Sequence, residues 1–247
     1  MRRTDADTAG NASGGAEGDA ALQSSVLEDL ADAVNYRRWL VELGLPYLAG
    51  PTLEVGSGRG DYAAEWADRG VPITASEADP GRLAALRDRF RDDPRVAVRE
   101  LAVPIDVVDD YAAVVAYNVL EHVPDDLGAL RAFAGLLRRG GQVVLIVPAI
   151  PALTSRFDRL IGHQRRYRAG QLGDRLTRAG LDVRRLHYLN APGTLAWLVG
   201  MRLLRMTPTA GPVLRAWDAA VVPVARRVER TWRPPFGQSL FAVAARP

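Results

Sequence analysis

The chain has 247 residues, 48% apolar and 25% charged, the balance of an ordinary soluble fold with room for one large α/β domain or two small ones. It contains no cysteine, which excludes disulfides, thiolate zinc sites, Cys-ligated iron–sulfur clusters and a cysteine nucleophile. It contains no lysine either, so Schiff-base chemistry and a Walker-type phosphate lysine are excluded as well, and all 32 basic residues are arginine. Arginine titrates only at high pH, so a pI near 9.6 accompanies a net charge of only +3 and says little about nucleic acid.

Residues 1–25 are rich in Gly, Ala, Ser, Asp and Thr and lack an apolar export signal. They include Asp5, Asp7, Glu17 and Asp19, and they read as a disordered tail before one domain over 26–247. A cytoplasmic location is the expectation. From Val26 to Leu48, apolar residues at Leu27, Leu30, Val34, Leu40 and Leu43 predict one or two helices. Short β-rich runs then alternate with helical stretches. Strands are expected at Thr52–Val55, Val71–Ser76, Val96–Leu101, Ala112–Tyr117 and Gln142–Val147. Helices are expected at Gly60–Arg69, Pro80–Phe90 and Asp125–Arg138, the last ended by Gly140-Gly141.

Beyond Pro148, Leu153–Leu160 and Ala169–Arg178 read as helical and Leu181–Leu189 as a strand. Residues 191–236 read as a helical insertion before a last strand near Ser239–Ala244. The alternation predicts an α/β fold, a Rossmann-like doubly wound and mostly parallel seven-stranded sheet, with ligands at the carboxyl ends of the strands.

The densest motif, Leu53-Glu54-Val55-Gly56-Ser57-Gly58-Arg59-Gly60, lies at the turn from first strand to first helix. Its glycines let the backbone turn tightly and lie against a ligand. A dinucleotide fingerprint needs a third glycine where Asp61 stands, and Glu54 would repel a diphosphate. A ligand with a cationic end suits the loop better. S-adenosylmethionine carries an ammonium, a sulfonium and a ribose diol, and Glu77, closing the second strand, is placed to accept from that diol.

Through Glu54 to Gly60, Glu77 and Asn118-Val119-Leu120-Glu121-His122, the chain resembles the class I S-adenosylmethionine-dependent methyltransferases over roughly Val26–Val147. The resemblance implies that the glycine loop, with Glu54, Gly56, Gly58 and Gly60 as cofactor-binding residues, and Asn118 surround the methionine part. It further implies that Glu77 holds the ribose, that Glu100 and Leu101 flank the adenine, and that the Asn35-Tyr36 segment closes over the cofactor. Members commonly carry aspartate where Glu100 stands.

Methyl transfer to oxygen or nitrogen asks the protein to align an acceptor and to manage its proton. The chain has three histidines. His187 lies mid-strand and reads as structural, whereas His122 follows the fourth strand on the ligand edge. His163 stands in Gly162-His163-Gln164-Arg165-Arg166-Tyr167, similar to a segment of methyltransferases of this branch. A histidine, two guanidiniums and the Tyr167 phenol there could bind a polar or anionic acceptor, or pack as a loop. His163, His122 and Tyr167 are thus the catalytic candidates.

No spaced Asp/Asn set marks a metal site, and no basic run with interleaved aromatics marks a nucleic-acid surface. The expected partner is a small-molecule acceptor. In the insertion, Leu195–Met206 is apolar nearly all round yet too short to span a bilayer, and Leu214, Trp217, Val221, Val224 and Val228 form a stripe with Arg215, Asp218 and Arg227 off it. The insertion is expected to cap the acceptor cleft with an apolar wall including Trp197 and Met201. Core packing, a dimer interface and a weak membrane-surface contact through 195–206 are the alternatives. The function expected is methyl transfer to a small-molecule acceptor, with hydrophobic molecules, lipid-linked molecules and natural-product intermediates as the candidate classes; a non-catalytic cofactor-binding or regulatory protein and a dinucleotide oxidoreductase are its rivals.

Overall fold

The structure, a computed structural model, describes residues 33–103, 109–199 and 211–247. Seven strands form one sheet: β1 Thr52–Val55, β2 Ile73–Glu77, β3 Val96–Glu100, β4 Tyr111–Tyr117, β5 Leu137–Pro148, β6 Asp182–Leu189 and β7 Ser239–Ala245. Their order is β3-β2-β1-β4-β5-β7-β6, parallel from β3 to β5 and antiparallel where β7 meets β5 and β6. The doubly wound, mostly parallel sheet is therefore present. Its strand order reverses between β1 and β4, and the crevice at their carboxyl ends is where such sheets bind ligands. β4, Tyr-Ala-Ala-Val-Val-Ala-Tyr, is buried at every position because helices cover both faces of the sheet.

On one face α1 (Val34–Gly44), α2 (Asp61–Ala67), α3 (Pro80–Arg89) and α8 (Pro212–Thr231) pack Trp39, Leu40, Trp66, Leu86 and Val222 against Val115, Ile146 and Phe241. On the other, α4 (Asp126–Leu136) and α6 (Ala169–Arg178) pack Leu130, Phe133, Leu172 and Leu176 against Val114, Leu145 and Ala242. Between β5 and α6 lies the short α5 (Arg156–Leu160), started by a capping box between Ser155 and Asp158. After β6 comes α7 (Ala191–Trp197), which Asn190 caps through its side chain.

Three expectations need correction. Helix α4 ends at Leu136, and Gly140-Gly141 lies inside β5 rather than after a helix. A Cβ on Gly141 would stand 2.9 Å from the Arg138 carbonyl oxygen and 3.1 Å from that of Tyr111, so this glycine marks a close approach of backbones. The Leu153–Leu160 stretch divides into a single turn, Pro151–Leu153, and α5.

The buried stripe of α8 is also rotated from the one expected. Asp218, Val222, Ala225 and Glu229 face inward, while Val224 and Val228 are exposed. Asp218 turns in because it accepts the backbone N–H groups of Asn35 and Tyr36 at 2.8 Å each, at the start of α1. Glu229 accepts those of Asn190 and Ala191 at 2.9 Å, at the start of α7. Two acids of one helix thus satisfy the unpaired donors that open two others. The expected tail (1–25), Val26 to residue 32, and Met201 lie outside the described residues.

Candidate functional site

The turn after β1 folds as its glycines demand. Gly56, Gly58 and Gly60 adopt φ of +68°, +56° and +78°, a left-handed backbone that side chains disfavour. Space is short too. A Cβ on Gly56 would approach Val119 to 2.7 Å, and one on Gly60 would approach Phe90 to 2.5 Å. Ser57 locks the loop onto the next strand, donating its N–H to the Ser76 carbonyl at 2.7 Å and accepting from the Ser76 N–H at its hydroxyl.

Two carboxylates flank this loop. Glu77, at the end of β2, accepts the Gly58 N–H at Oε2 (3.0 Å); at Oε1 it accepts the Ala78 and Asp79 N–H groups and, at 3.4 Å, the Arg82 guanidinium. A carboxylate offers about four acceptor sites, two per oxygen. Oε2 takes one donor, so a lone pair remains there for a hydroxyl. Glu54 is buried at 3% exposure, and its Oε2 has no hydrogen-bond partner. Burial raises its pKa to about 7, with the charges of Asp61 and Glu77 adding to the rise. An orphaned carboxylate beneath a left-handed loop fits a ligand whose cationic group relieves that burial.

The other expected cofactor residues stand on the same edge. Asn118, exposed at the end of β4, takes φ +53°, a conformation asparagine tolerates, and its N–H is held by the Ile146 carbonyl. Glu100 pairs with Glu77 in strand register, and the Leu101 N–H donates to the Glu77 carbonyl at 3.2 Å. Glu100 is exposed and stands 3.9 Å from Arg87, whereas Leu101 is buried. Tyr36 sits in α1 with its hydroxyl between Ser239 and Asn190; burial foremost raises its pKa. Tyr36 and Glu54 both act on Tyr62, a half-buried residue whose phenol is pushed well above its usual range mainly by desolvation. Tyr62 packs on Trp66 and Tyr117, and sequence reasoning missed it because its role comes from packing rather than from a motif.

The His163 segment divides differently from the sequence expectation. Tyr167 is fully buried; its hydroxyl donates to Asp126 at 3.0 Å, and burial raises its pKa. Its backbone bridges to Ala149, so the phenol is a rivet in the core with no surface for an acceptor. Arg165 pairs with Asp126 at 3.1 Å and donates to the Pro124 carbonyl. Arg166, 4% exposed, donates to Asp158 at 2.7 and 3.0 Å and lies 4.5 Å from the centre of the Trp197 ring. Both guanidiniums are engaged by protein groups, that of Arg166 buried and that of Arg165 partly exposed.

His163 keeps 12% of its side chain exposed. Its Nδ1 lies 3.1 Å from Asp158, and its Nε2 lies 3.7 Å from Glu121 Oε1. Asp158 sits well below the usual carboxylate range: its burial pulls the other way, but hydrogen bonds from His163 and Ser155 and the charge of Arg166 prevail. Glu121 is fully buried, neither carboxylate oxygen has a partner, and burial raises its pKa to about 7 against the opposing charge of His163. His122 stacks edge-on against His163 at 4.7 Å; burial, and then the charge of His163, lower its pKa to about 4. Among the described residues, Glu121, His122 and His163 bring one ligand atom each within 4.8 Å of one another. The sequence shows Glu121-His122 as a pair, but His163 lies 41 residues further on, so only the fold assembles the three. His187 is mid-strand as expected, against Arg233 and Phe241.

Trp197, expected in an apolar wall, packs its ring against Phe157 and donates its indole N–H to the Leu153 carbonyl at 3.2 Å. Among the described residues no helix is long and apolar enough to cross a membrane.

Comparison with known proteins places this geometry in context. An uncharacterized methyltransferase of Mycobacterium bovis is 31% identical over 108 residues, 43% of this chain and 42% of that one. A ubiquinone biosynthesis O-methyltransferase of Xanthomonas campestris is 36% identical over 99 residues, 38% of this chain and 41% of its own length. The matches thus span about two fifths of these relatives. The crystal structure of geranyl diphosphate C-methyltransferase from Streptomyces coelicolor, bound to Mg2+, geranyl diphosphate and S-adenosyl-L-homocysteine, superposes with a TM-score of 0.60 at 16% identity, over 84% of this chain and 76% of that one. Residues 29–186 match the sequence model of a family described as a methyltransferase domain, and the chain belongs to that family.

Proposed function

We propose that this chain transfers a methyl group from S-adenosylmethionine to a small-molecule acceptor. One observation carries the reading: Glu54, buried and with Oε2 unpartnered, lies beneath a loop held left-handed by three glycines, with Glu77 fastened to Gly58 across it. The pair suits a ligand that is cationic at one end and carries a diol at the other. When bound, S-adenosylmethionine supplies a methyl carbon made electrophilic by its sulfonium.

The residues then divide by place. Glu54 stabilises the cationic end, Gly56, Gly58, Gly60 and Asn118 line the methionine part, and Glu77 Oε2 accepts from the ribose. Glu100 and Leu101 border the adenine, and Tyr36 closes the site from α1. The Asn118-Val119-Leu120-Glu121-His122 run serves both ends, because Asn118 leads directly into Glu121 and His122. At the acceptor end His163, with Glu121, engages the polar group that receives the methyl; Tyr167 is a packing residue. The insertion that begins at α7 forms the wall beside the acceptor, with Trp197 in it, which favours an acceptor with apolar bulk.

Incubation with methyl-labelled S-adenosylmethionine and small-molecule extract fractions, followed by mass analysis, tests the reading. A labelled product together with calorimetric binding of the cofactor is expected. Tight NAD(H) binding in its place, or cofactor binding with no transfer to any fraction, overturns it.

A further inference from the structure

Glu121, His122 and His163 present an unsatisfied arrangement. Asp158 is an acceptor held by Arg166, Ser155 and His163, so the His163 proton sits on Nδ1, facing it. In the neutral ring Nε2 then carries a lone pair, and 3.7 Å away is Glu121 Oε1, a second acceptor. That separation is too long for a direct hydrogen bond, and neither Glu121 oxygen has any other partner. His122 adds a third donor atom: one ring nitrogen bonds the Gly162 carbonyl, and the ring lies 4.7 Å from that of His163, centre to centre. Three Lewis-base atoms therefore lie within 4.8 Å of one another.

We infer that Glu121, His122 and His163 bind a divalent transition-metal ion, with zinc the best match to two imidazoles and one carboxylate. The donor set is that of three-ligand sites that keep a fourth position open. Nitrogen and oxygen donors on one tetrahedral zinc ion stand ~3.3–3.4 Å apart, so the 3.7 Å between Nε2 and Oε1 needs to close by only a few tenths of an ångström to share an ion. The three-way spread of up to 4.8 Å is wider than one ion spans, so an imidazole ring turns inward by more than ~1 Å when the ion binds. The outer contact is also in place: Asp158 accepts the Nδ1–H of His163, the carboxylate–histidine arrangement that orients metal-bound imidazoles. The Glu121 carboxylate, costly to bury alone, gains a counter-charge. The open position would take an oxygen or nitrogen of the acceptor. In this respect the inference rests on the proposed methyl transfer, although ion binding itself does not.

The test uses tag-free full-length protein stripped with a chelator, titrated with Zn2+ by calorimetry and with Co2+ by visible absorption. One equivalent is expected to bind, with a d–d spectrum of low coordination number. Glu121→Gln and His163→Asn, checked for folding by circular dichroism, should weaken binding by more than the ~10–100-fold that loss of an outer partner costs. Should His163→Asn fail to fold, Glu121→Gln decides alone, since it keeps the shape of a side chain that has no partner to lose. Absence of stoichiometric binding of either ion, or unchanged affinity in the folded variants, overturns the site. Affinity for S-adenosylmethionine, measured in the stripped protein, separates the two readings. Cofactor binding without metal binding leaves the methyltransferase proposal standing and sinks this one, and the converse result does the reverse.

Discussion

Glu54→Gln should make the free protein more stable at alkaline pH while weakening the cofactor. Burial raises the folded-state pKa of Glu54 from 4.5 to about 7. An acid with a raised folded pKa binds more protons folded than unfolded, so the wild type loses stability as pH rises from 4.5 through 7. The loss levels off above that range. Taken over that interval, it amounts to about 3 kcal/mol. Glutamine does not titrate, so the difference between variant and wild type isolates this residue from Glu121, whose pKa is raised in the same direction. Urea unfolding without cofactor, at pH 5 and at pH 8.5, measures it. The variant's advantage should grow between those conditions by roughly 2–3 kcal/mol. Calorimetry at pH 8.5 should show weaker binding of S-adenosylmethionine, because a charge facing a cation has been removed. Parallel pH dependence in the two proteins would refute the argument that Glu54 is an unrelieved buried acid. Stabilisation with no loss of cofactor affinity would move the cationic end elsewhere.

Gly58→Val should abolish cofactor binding by calorimetry while circular dichroism stays native, because a β-branched residue at φ +56° strains only the loop. Tyr167→Phe should cost about 1–2 kcal/mol in urea unfolding through the lost hydrogen bond to Asp126, with turnover of the folded enzyme unchanged; a collapse of turnover alone would return the phenol to catalysis. Trp197→Ala should raise the KM for an apolar acceptor and leave cofactor affinity within a few-fold, as steady-state kinetics and calorimetry would show. Unaltered kinetics would reduce the insertion to packing.

The regular part of the fold was legible because its signals are local. β1 and α6 lie where their runs predicted, and α3 starts at Pro80, with Asp79 capping it through the Arg82 N–H. The glycine loop was legible for the same reason, since a backbone requirement is written in residue type. What misled was chemistry whose meaning is set by distant partners. Arg165, Arg166 and Tyr167 resemble a binding cluster in one dimension. In three, Asp126 and Asp158, contributed by other elements, consume them. Asp218 and Glu229 look solvated on a helical wheel, yet they turn inward to meet helix starts far away in sequence. Glu121 was in view from the start; its orphaned oxygens were not, because a missing partner leaves no trace in sequence.

The position of β7 bears on how the chain reaches this state. Among the described residues β6 has β7 as its only neighbour in the sheet, yet residues 190–238 separate the two. Until β7 arrives, β5 and β6 each present an unpaired edge, and the gap between them is one strand wide. Closing such a long loop is slow compared with forming the βαβ units upstream. Folding should therefore pause with the β3-to-β5 part assembled and a strand-shaped slot open beside it. A strand from a second molecule can enter that slot in the interval, so the yield of refolding should fall with protein concentration more steeply than the stability of the finished sheet suggests.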